Sequence, residues 1–271
     1  MFSFAQAVRE GSFSRKHHGH LVEGTVITTL VHVAQTFRAN NRKDPRLDID
    51  GKTCIILQEQ FRGYSIHDGA QRKQKALPIM VLRKMLEIEA TPIEHALGYL
   101  YIGANNFAMR PCEYLRSTHR EDNKRTKIIR LRNIAFKGGE GKLLELSSPM
   151  LQSTDIVIIT FEFQKNTKRN KTVHMFRTGD DILFPVKALA HTIQRILNTV
   201  PGACGDTKVC AYNHQGKTQN IDSGYARARL KGVVELLGKE ALGFTKDDVG
   251  LHSIRSGGGQ WPCSCQEYQQ S

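Results

Sequence analysis

The sequence contains no run of 18 consecutive apolar residues, the length that a membrane-spanning helix needs, so no membrane partner is expected. It also contains no CxxC pair, and the CxC formed by Cys263 and Cys265 has no second pair of ligands to complete a zinc site. The carboxylates form no cluster suited to magnesium, and neither a metal nor a cofactor is expected. The start of the chain lacks the apolar segment of a secretory leader. Together with the scattered cysteines, this predicts an intracellular protein, nuclear in a eukaryotic cell.

Acidic residues are scarce relative to basic ones. The 271 residues include 26 Asp and Glu against 39 Lys and Arg, which gives a formal net charge of +13. Such a charge favours a polyanionic partner, because basic side chains release the counterions condensed on a phosphate backbone. The hydrophobic fraction of 39% and the charged fraction of 24% are typical of a globular chain that can bury its own core. Composition alone therefore favours a soluble nucleic-acid-binding protein.

Apolar periodicity places helices at both ends of the chain and strands in the middle. Helical spacing predicts helices over 25–39, 53–63, 79–89, 92–105, 186–198 and 223–237. Runs of β-branched and aromatic residues predict strands over 127–136, 155–164 and 171–176, and a polar, basic stretch over 65–78 is expected to be a linker. The expected fold class is therefore mainly α with a small antiparallel β-sheet (α+β).

Two short motifs carry residue types suited to chemistry on phosphates. In AMRPCEYL, Arg110 and Glu113 are three residues apart, and in LHSIRSGGG the same spacing separates His252 from Arg255. On a helix, residues three apart share one face. Either pair alone is common. Their order is informative, because a lysine-bearing predicted hairpin, FEFQKNTKRNKTVHM, lies between them.

This order of motifs resembles the catalytic domain of the tyrosine recombinases, which include phage integrases and the recombinases of Crypton-type mobile elements. The resemblance implies a small helical DNA-clamping domain and linker over 1–76, a catalytic domain over 77–259 and an atypical tail over 260–271. It also implies a mobile-element-derived protein of DNA recombination and integration. Such a protein binds double-stranded DNA and can form a homo-oligomer on it.

The resemblance assigns catalytic roles to four residues. Arg110 and Arg255 would hold the oxygens of the scissile phosphate with their planar forks, which lysine cannot do. His252 would donate to the phosphate or help to move a proton, and Glu113 would orient Arg110. The fourth residue is a hairpin lysine that protonates the leaving 5′ oxygen, for which we choose Lys165.

Three further basic residues of the same hairpin are expected to contact DNA phosphates: Lys168, Arg169 and Lys171. Lys168 and Lys171 are also rivals of Lys165 for the proton-donating role, because all three follow the first hairpin strand closely. The sequence leaves this choice open.

The C-terminus departs from the family pattern. The nucleophilic tyrosine of the family lies beyond further helices, which with their loops would take about 25 residues or more. Only 16 residues follow Arg255 (271 − 255), and they include three glycines and a proline. They contain Trp261 and Tyr268, the right residue types, but too close to Arg255. We therefore expect a truncated chain that lacks its nucleophile.

Two alternatives stay open at this point. One is an active recombinase that uses Tyr268 or a tyrosine supplied by a neighbouring subunit. The other is a basic DNA- or RNA-binding module without recombinase ancestry. The recombinase interpretation requires Arg110, Lys165, His252 and Arg255 to converge on one pocket, whereas a binding module has no reason to bring them together.

Overall fold

The chain divides into two compact units, Met1–Arg72 and Lys73–Ser271. The structure, a computed structural model, describes residues 1–13, 20–69, 74–88, 91–117, 127–163, 169–180 and 184–258. In that part of the chain, no helix has both the length and the apolar character needed to cross a membrane. Each unit has its own hydrophobic core.

The described residues of the first unit form three helices: α1 (Phe2–Arg9), α2 (Glu23–Ala39) and α3 (Ile55–His67). Their buried side chains form one small core of Ala5, Val8, Val26, Leu30, Leu57 and Tyr64. The sequence predicted α2 and α3 but not α1, whose eight residues are too short to show a clear helical period.

The carboxylate of Asp68, which follows α3, interacts with residues of both α1 and α2. The Asp68 side chain accepts a hydrogen bond of 2.5 Å from the Glu23 backbone N–H at the start of α2. Its other oxygen lies 2.5 Å from Nη1 of Arg9, at the end of α1. The Arg9 guanidinium in turn lies 4.9 Å from the centre of the Tyr64 ring. The Glu23 N–H, and secondarily Arg9, hold the pKa of Asp68 below its ordinary value.

This network predicts that the first unit loses stability in acid. Because the folded-state pKa of Asp68 is lowered, its contribution is fully present above the unfolded-state pKa and is lost as the pH falls through the folded value. We expect the thermal midpoint of the first unit to fall between about pH 5 and pH 3. In Asp68→Asn the midpoint should be lower at neutral pH and should change less over that range. The exposed Asp50 supplies the control, and Asp50→Asn should follow the unmodified chain.

The second unit contains six helices and six strands among its described residues. Its helices are α4 (Ile79–Glu87), α5 (Pro92–Asn106), α6 (Pro111–Tyr114), α7 (Pro185–Thr199), α8 (Ser223–Leu242) and α9 (Leu251–Gly258). Its strands are β1 (Ile134–Lys137), β2 (Leu143–Leu144), β3 (Ile156–Phe163), β4 (Arg169–Phe176), β5 (Ala211–His214) and β6 (Lys217–Asn220).

Four of the strands form an antiparallel sheet in the order β2-β1-β3-β4. Val157 in the central strand pairs with Phe136 of β1 and with Met175 of β4, so one face of the sheet is apolar and packs on the core. The predicted fold class, mainly helical with a small antiparallel sheet, is confirmed. The separate β5–β6 hairpin was not predicted.

The predicted strand over 127–136 is wrong over residues 127–133 and right only over its last three residues. Leu131–Asn133 form a turn of 3-10 helix, and β1 begins only at Ile134. The Asn133 side chain accepts from the Arg130 backbone N–H at 2.9 Å, which favours a turn over an extended strand. The preceding backbone also pairs elsewhere, since the Leu131 N–H donates to the Thr207 carbonyl at 3.0 Å.

Helix α5 lies at the centre of the second unit and packs against α4, α7 and α9. It begins with Pro92, as predicted, and with a capping box in which Thr91 and Glu94 bond each other's backbone N–H groups. Farther along, the buried Tyr101 hydroxyl donates to the Ala226 carbonyl of α8 at 2.7 Å. One end of α5 leads to Arg110, and the first turn at its other end lines a cavity.

The predicted linker over 65–78 is only partly a linker. Its first residues belong to α3, which continues to His67. At its other end, the Lys75 N–H donates to the Asp248 carbonyl at 2.8 Å and the Leu77 N–H to the Ser253 carbonyl at 3.0 Å. This segment is therefore fixed to the chain that leads into α9.

Candidate functional site

Arg110 lies in a short connection between α5 and the one-turn helix α6. The chain leaves α5 through a tight turn, in which Ala108 has a φ of 46° and the Met109 N–H donates to the Ala104 carbonyl at 2.9 Å. Pro111 then starts α6, as proline does at first helical positions. Arg110 is thus the residue that immediately precedes α6.

The buried Glu113 side chain fixes the position of Arg110 through two hydrogen bonds. Its side chain is only 3% exposed, and its two oxygens accept from the Arg110 backbone N–H at 2.7 Å and from Arg110 Nη1 at 3.2 Å. The Arg110 side chain is 20% exposed, so a ligand can still reach the guanidinium. These contacts are those expected of a residue that orients Arg110.

Replacing Glu113 with alanine should destabilise the fold by about 1.5–3 kcal/mol, because two donors of Arg110 lose a charged and buried acceptor. Glu113→Gln should cost less, since an amide oxygen can still accept from the backbone N–H. The loss is measured as the shift in the urea midpoint. Glu87, which also forms an i,i+3 ion pair but is 61% exposed, provides the control. Glu87→Ala should change stability by less than about 1 kcal/mol, and an equal loss in both variants would contradict the role of Glu113.

Helix α9 presents His252 and Arg255 on one face. His252 is exposed and Arg255 is half-buried, whereas Leu251 and Ile254 point into the core. The prediction that this motif is helical is confirmed. The Ser253 side chain starts the helix by accepting from the Gly250 backbone N–H at 3.1 Å.

Two glycines let α9 approach the end of α5 at backbone distance. A Cβ added to Gly258 would overlap the Asn105 carbonyl oxygen, and one added to Gly257 would lie 2.5 Å from the Leu77 carbonyl oxygen. Asn105 is the penultimate residue of α5, and Arg110 follows it by five positions (110 − 105). Both motifs therefore adjoin the same end of α5, although 145 positions (255 − 110) separate Arg110 from Arg255.

Asn105 is a residue of this site that sequence reasoning missed. It is 2% exposed, and its Oδ1 has no hydrogen-bond partner in the described part of the chain. A Cβ on Gly257 would lie 3.0 Å from that oxygen. The only sequence signal was a pair of asparagines after the apolar middle of α5, and it pointed to no particular contact.

The β3–β4 hairpin contributes an exposed basic surface. Arg169 pairs in register with Phe163, and Lys171 pairs with Phe161. Both basic side chains are exposed on β4, an edge strand of the sheet. The Phe163 ring also holds two cations, Arg169 Cζ at 4.9 Å and Lys127 Nζ at 5.1 Å from its centre. Lys127 was not among the predicted DNA-binding residues.

Several predicted residues lie outside the described part of the chain. Among them are Lys165 and Lys168 of the hairpin and Tyr268 of the tail. The roles of these residues, and the convergence of Lys165 with Arg110, His252 and Arg255 on one pocket, stay predictions.

The two tyrosines closest to Arg110 in sequence are not suited to act as nucleophiles. Tyr101 and Tyr114 pack edge to face with ring centres 6.3 Å apart, and both are fully buried. Burial raises the pKa of each hydroxyl well above its ordinary value, so neither forms a phenolate readily. Within the described ranges, no group of three or more His, Cys, Asp or Glu side chains could hold a metal ion.

Comparisons with known proteins give a similarity among the solved structures. No protein-family model matches the chain, and no curated protein matches it. Among solved structures, the chain is similar to the XerH site-specific recombinase bound to its difH substrate in a pre-cleavage complex, with a TM-score of 0.40 and 13% sequence identity. The similarity covers 92% of this chain and 62% of that chain.

Proposed function

We propose that this chain is a recombinase-like, mobile-element-derived protein that binds double-stranded DNA, and that the 271-residue chain does not cleave it. The observation that carries the proposal is that α9, with His252 and Arg255, adjoins the end of α5 that leads into Arg110. The net charge of +13 supports a polyanionic partner. A basic module without recombinase ancestry would not need these two motifs to meet.

In this proposal a DNA phosphate is the ligand that Arg110 and Arg255 share. Two guanidinium groups close together repel each other unless an anion lies between them, and a phosphate offers oxygens that suit both forks. The buried Glu113 carboxylate fixes the direction of the Arg110 side chain before a ligand arrives. This reduces the loss of side-chain conformational entropy on binding. His252, exposed on the same face of α9 as Arg255, supplies a further donor.

Strand cleavage needs a tyrosine hydroxyl in line with the phosphorus. In the family that the sequence resembles, the tyrosine oxygen bonds to phosphorus while the 5′ oxygen leaves with a proton, here assigned to Lys165. Tyr268 stands only 13 positions after Arg255 (268 − 255), on a segment interrupted by glycine and proline. A catalytic group has to be held within about half an ångström, which such a segment does not favour. The arginines still neutralise the phosphate, so binding survives without chemistry.

The test is a nicked suicide duplex, which traps any covalent 3′-phosphotyrosine adduct as a band of higher mass. We expect the chain to shift the duplex in a native gel and to form no adduct. Arg110→Ala and Arg255→Ala should each weaken the shift, while Arg227→Ala, an exposed arginine of α8, should change it less. Absence of any shift at low salt would contradict the proposal.

The other outcomes separate the alternatives. An adduct that disappears in Tyr268→Phe would show an active recombinase that uses Tyr268. An adduct that persists in Tyr268→Phe would point to another tyrosine, and mixing with a tagged second copy would show whether it acts in trans. An adduct that forms only after a tyrosine-bearing C-terminal helix is added behind Gly259 would support the proposal.

A further inference from the structure

A cavity of about 690 Å³ lies at the other end of α5. The first turn of α5, one side of α7 and the β5–β6 hairpin form its walls. Because a helix rises about 1.5 Å per residue, the 15 residues of α5 place this cavity roughly 20 Å from the Arg110 end. The volume is within the range of small-molecule sites, about 300–1,000 Å³.

The hairpin wall of the cavity is fixed firmly to α7. The Asn213 side-chain amide donates to the Thr199 carbonyl at 2.8 Å, and its oxygen accepts from the Gly216 N–H at 2.9 Å. Gln215 and Gly216 have φ values of 51° and 77°, the left-handed pair of a tight two-residue hairpin turn. The cavity is therefore bounded by backbone that is already ordered.

Arg195 of α7 lines the cavity. Its Nη1 donates to the Ala211 carbonyl at 2.9 Å, whereas its Nη2 is buried and has no hydrogen-bond partner in the described part of the chain. No carboxylate there forms an ion pair with it. Burial lowers the pKa of Arg195 to about 10. A buried guanidinium with an unmet donor is costly, and an anion would relieve that cost.

We infer that this cavity binds a small organic anion, whose phosphate or carboxylate group pairs with Arg195. The described residues that line it include no Asp or Glu, so no carboxylate among them competes with such an anion. Pro92 and Tyr212 supply apolar surface for the organic part of the ligand. This site is independent of DNA binding at Arg110 and Arg255, which lie at the opposite end of α5.

The test follows the backbone amides of Asn213 and Gly216 by NMR in the full chain. Sodium phosphate and sodium acetate are added separately at constant ionic strength, with sodium chloride as the reference. We expect one of the two to cause saturable shifts, and which one does so identifies the charged group of the ligand. The shifts should persist in an Arg110→Ala/Arg255→Ala double variant.

Three substitutions make the assignment specific. Arg195→Gln should weaken the apparent affinity by about tenfold or more, whereas Arg227→Gln, an exposed arginine of α8, should leave it unchanged. Arg195→Gln also loses the bond to Ala211 and could unfold the hairpin. Thr91→Asp answers that risk, because aspartate caps α5 as well as threonine does while it places a carboxylate at the cavity. It should abolish anion binding in a folded protein.

Equal shifts with chloride, or equal shifts in Arg195→Gln and the unmodified chain, would overturn the inference. So would undiminished binding in Thr91→Asp. The absence of shifts with both phosphate and acetate would also overturn it. None of these outcomes bears on the DNA proposal, which is tested by the gel shift and the suicide duplex.

Discussion

Replacing Gly258 with alanine is expected to lower the free energy of unfolding by about 3 kcal/mol or more, because overpacking against a rigid neighbour is costly. The new methyl group would overlap the Asn105 carbonyl oxygen, which belongs to the backbone of α5 and cannot rotate away as a side chain could. Either α9 moves outward or α5 bends, and both displace the α9 face that carries His252 and Arg255. The urea midpoint and the affinity for a DNA duplex should therefore fall together.

The matched control is Gly232→Ala in α8. Gly232 is exposed within a helix, and an added Cβ meets nothing within 4 Å. Alanine there should be neutral or stabilise the helix by up to about 1 kcal/mol, because glycine is a poor helix former. If Gly258→Ala were as stable as Gly232→Ala, the close approach of α9 to α5 would be wrong. Gly257→Ala should also destabilise, since its Cβ would lie 2.5 Å from the Leu77 carbonyl oxygen.

Local signals predicted most of the helices well, because their apolar period is set by the residues themselves. The range 92–105 became Pro92–Asn106, and 186–198 became Pro185–Thr199. The strands at 155–164 and 171–176 were predicted for the same reason, and β3 and β4 overlap them closely. Sequence alone could not give β6, whose residues KTQN are polar throughout and depend on pairing with β5. Tertiary pairing also overrode strand propensity at Leu131.

In the candidate site, too, sequence predicted the local geometry but not the contacts between distant residues. Spacing predicted that His252 and Arg255 share a helix face, because three positions on a helix determine that geometry. The contact that brings α9 to α5 depends on Asn105 and Gly258, which are 153 positions apart (258 − 105). No local pattern marks such a pair. The Arg195 cavity was even less predictable from sequence, because three separate elements form it and no sequence motif marks any of them.

DNA binding by this chain is expected to weaken about 10³-fold or more when salt rises from about 50 to 200 mM, if six or more phosphates are contacted. Each neutralised phosphate releases condensed counterions, and the slope of log affinity against log salt is about −0.9 per phosphate. The net charge of +13 supplies the cations. Besides Arg110 and Arg255, the described residues expected to contribute are Arg169 and Lys171, which are exposed on β4 at an edge of the sheet. Fluorescence anisotropy of a labelled duplex over this range measures the slope.

The change in this slope on single substitutions shows which basic residues contact phosphates. Arg169→Gln and Lys171→Gln should each reduce its magnitude by roughly 0.9, because each would remove one phosphate contact. Arg46 provides the control, since its fork is already held by Asp44 at 3.0 and 2.8 Å. Arg46→Gln should therefore leave the slope unchanged even if it lowers stability. A salt-insensitive affinity would contradict electrostatic binding altogether. An unchanged slope in both hairpin variants would remove β4 from the interface and leave the charge of the other surfaces to account for binding.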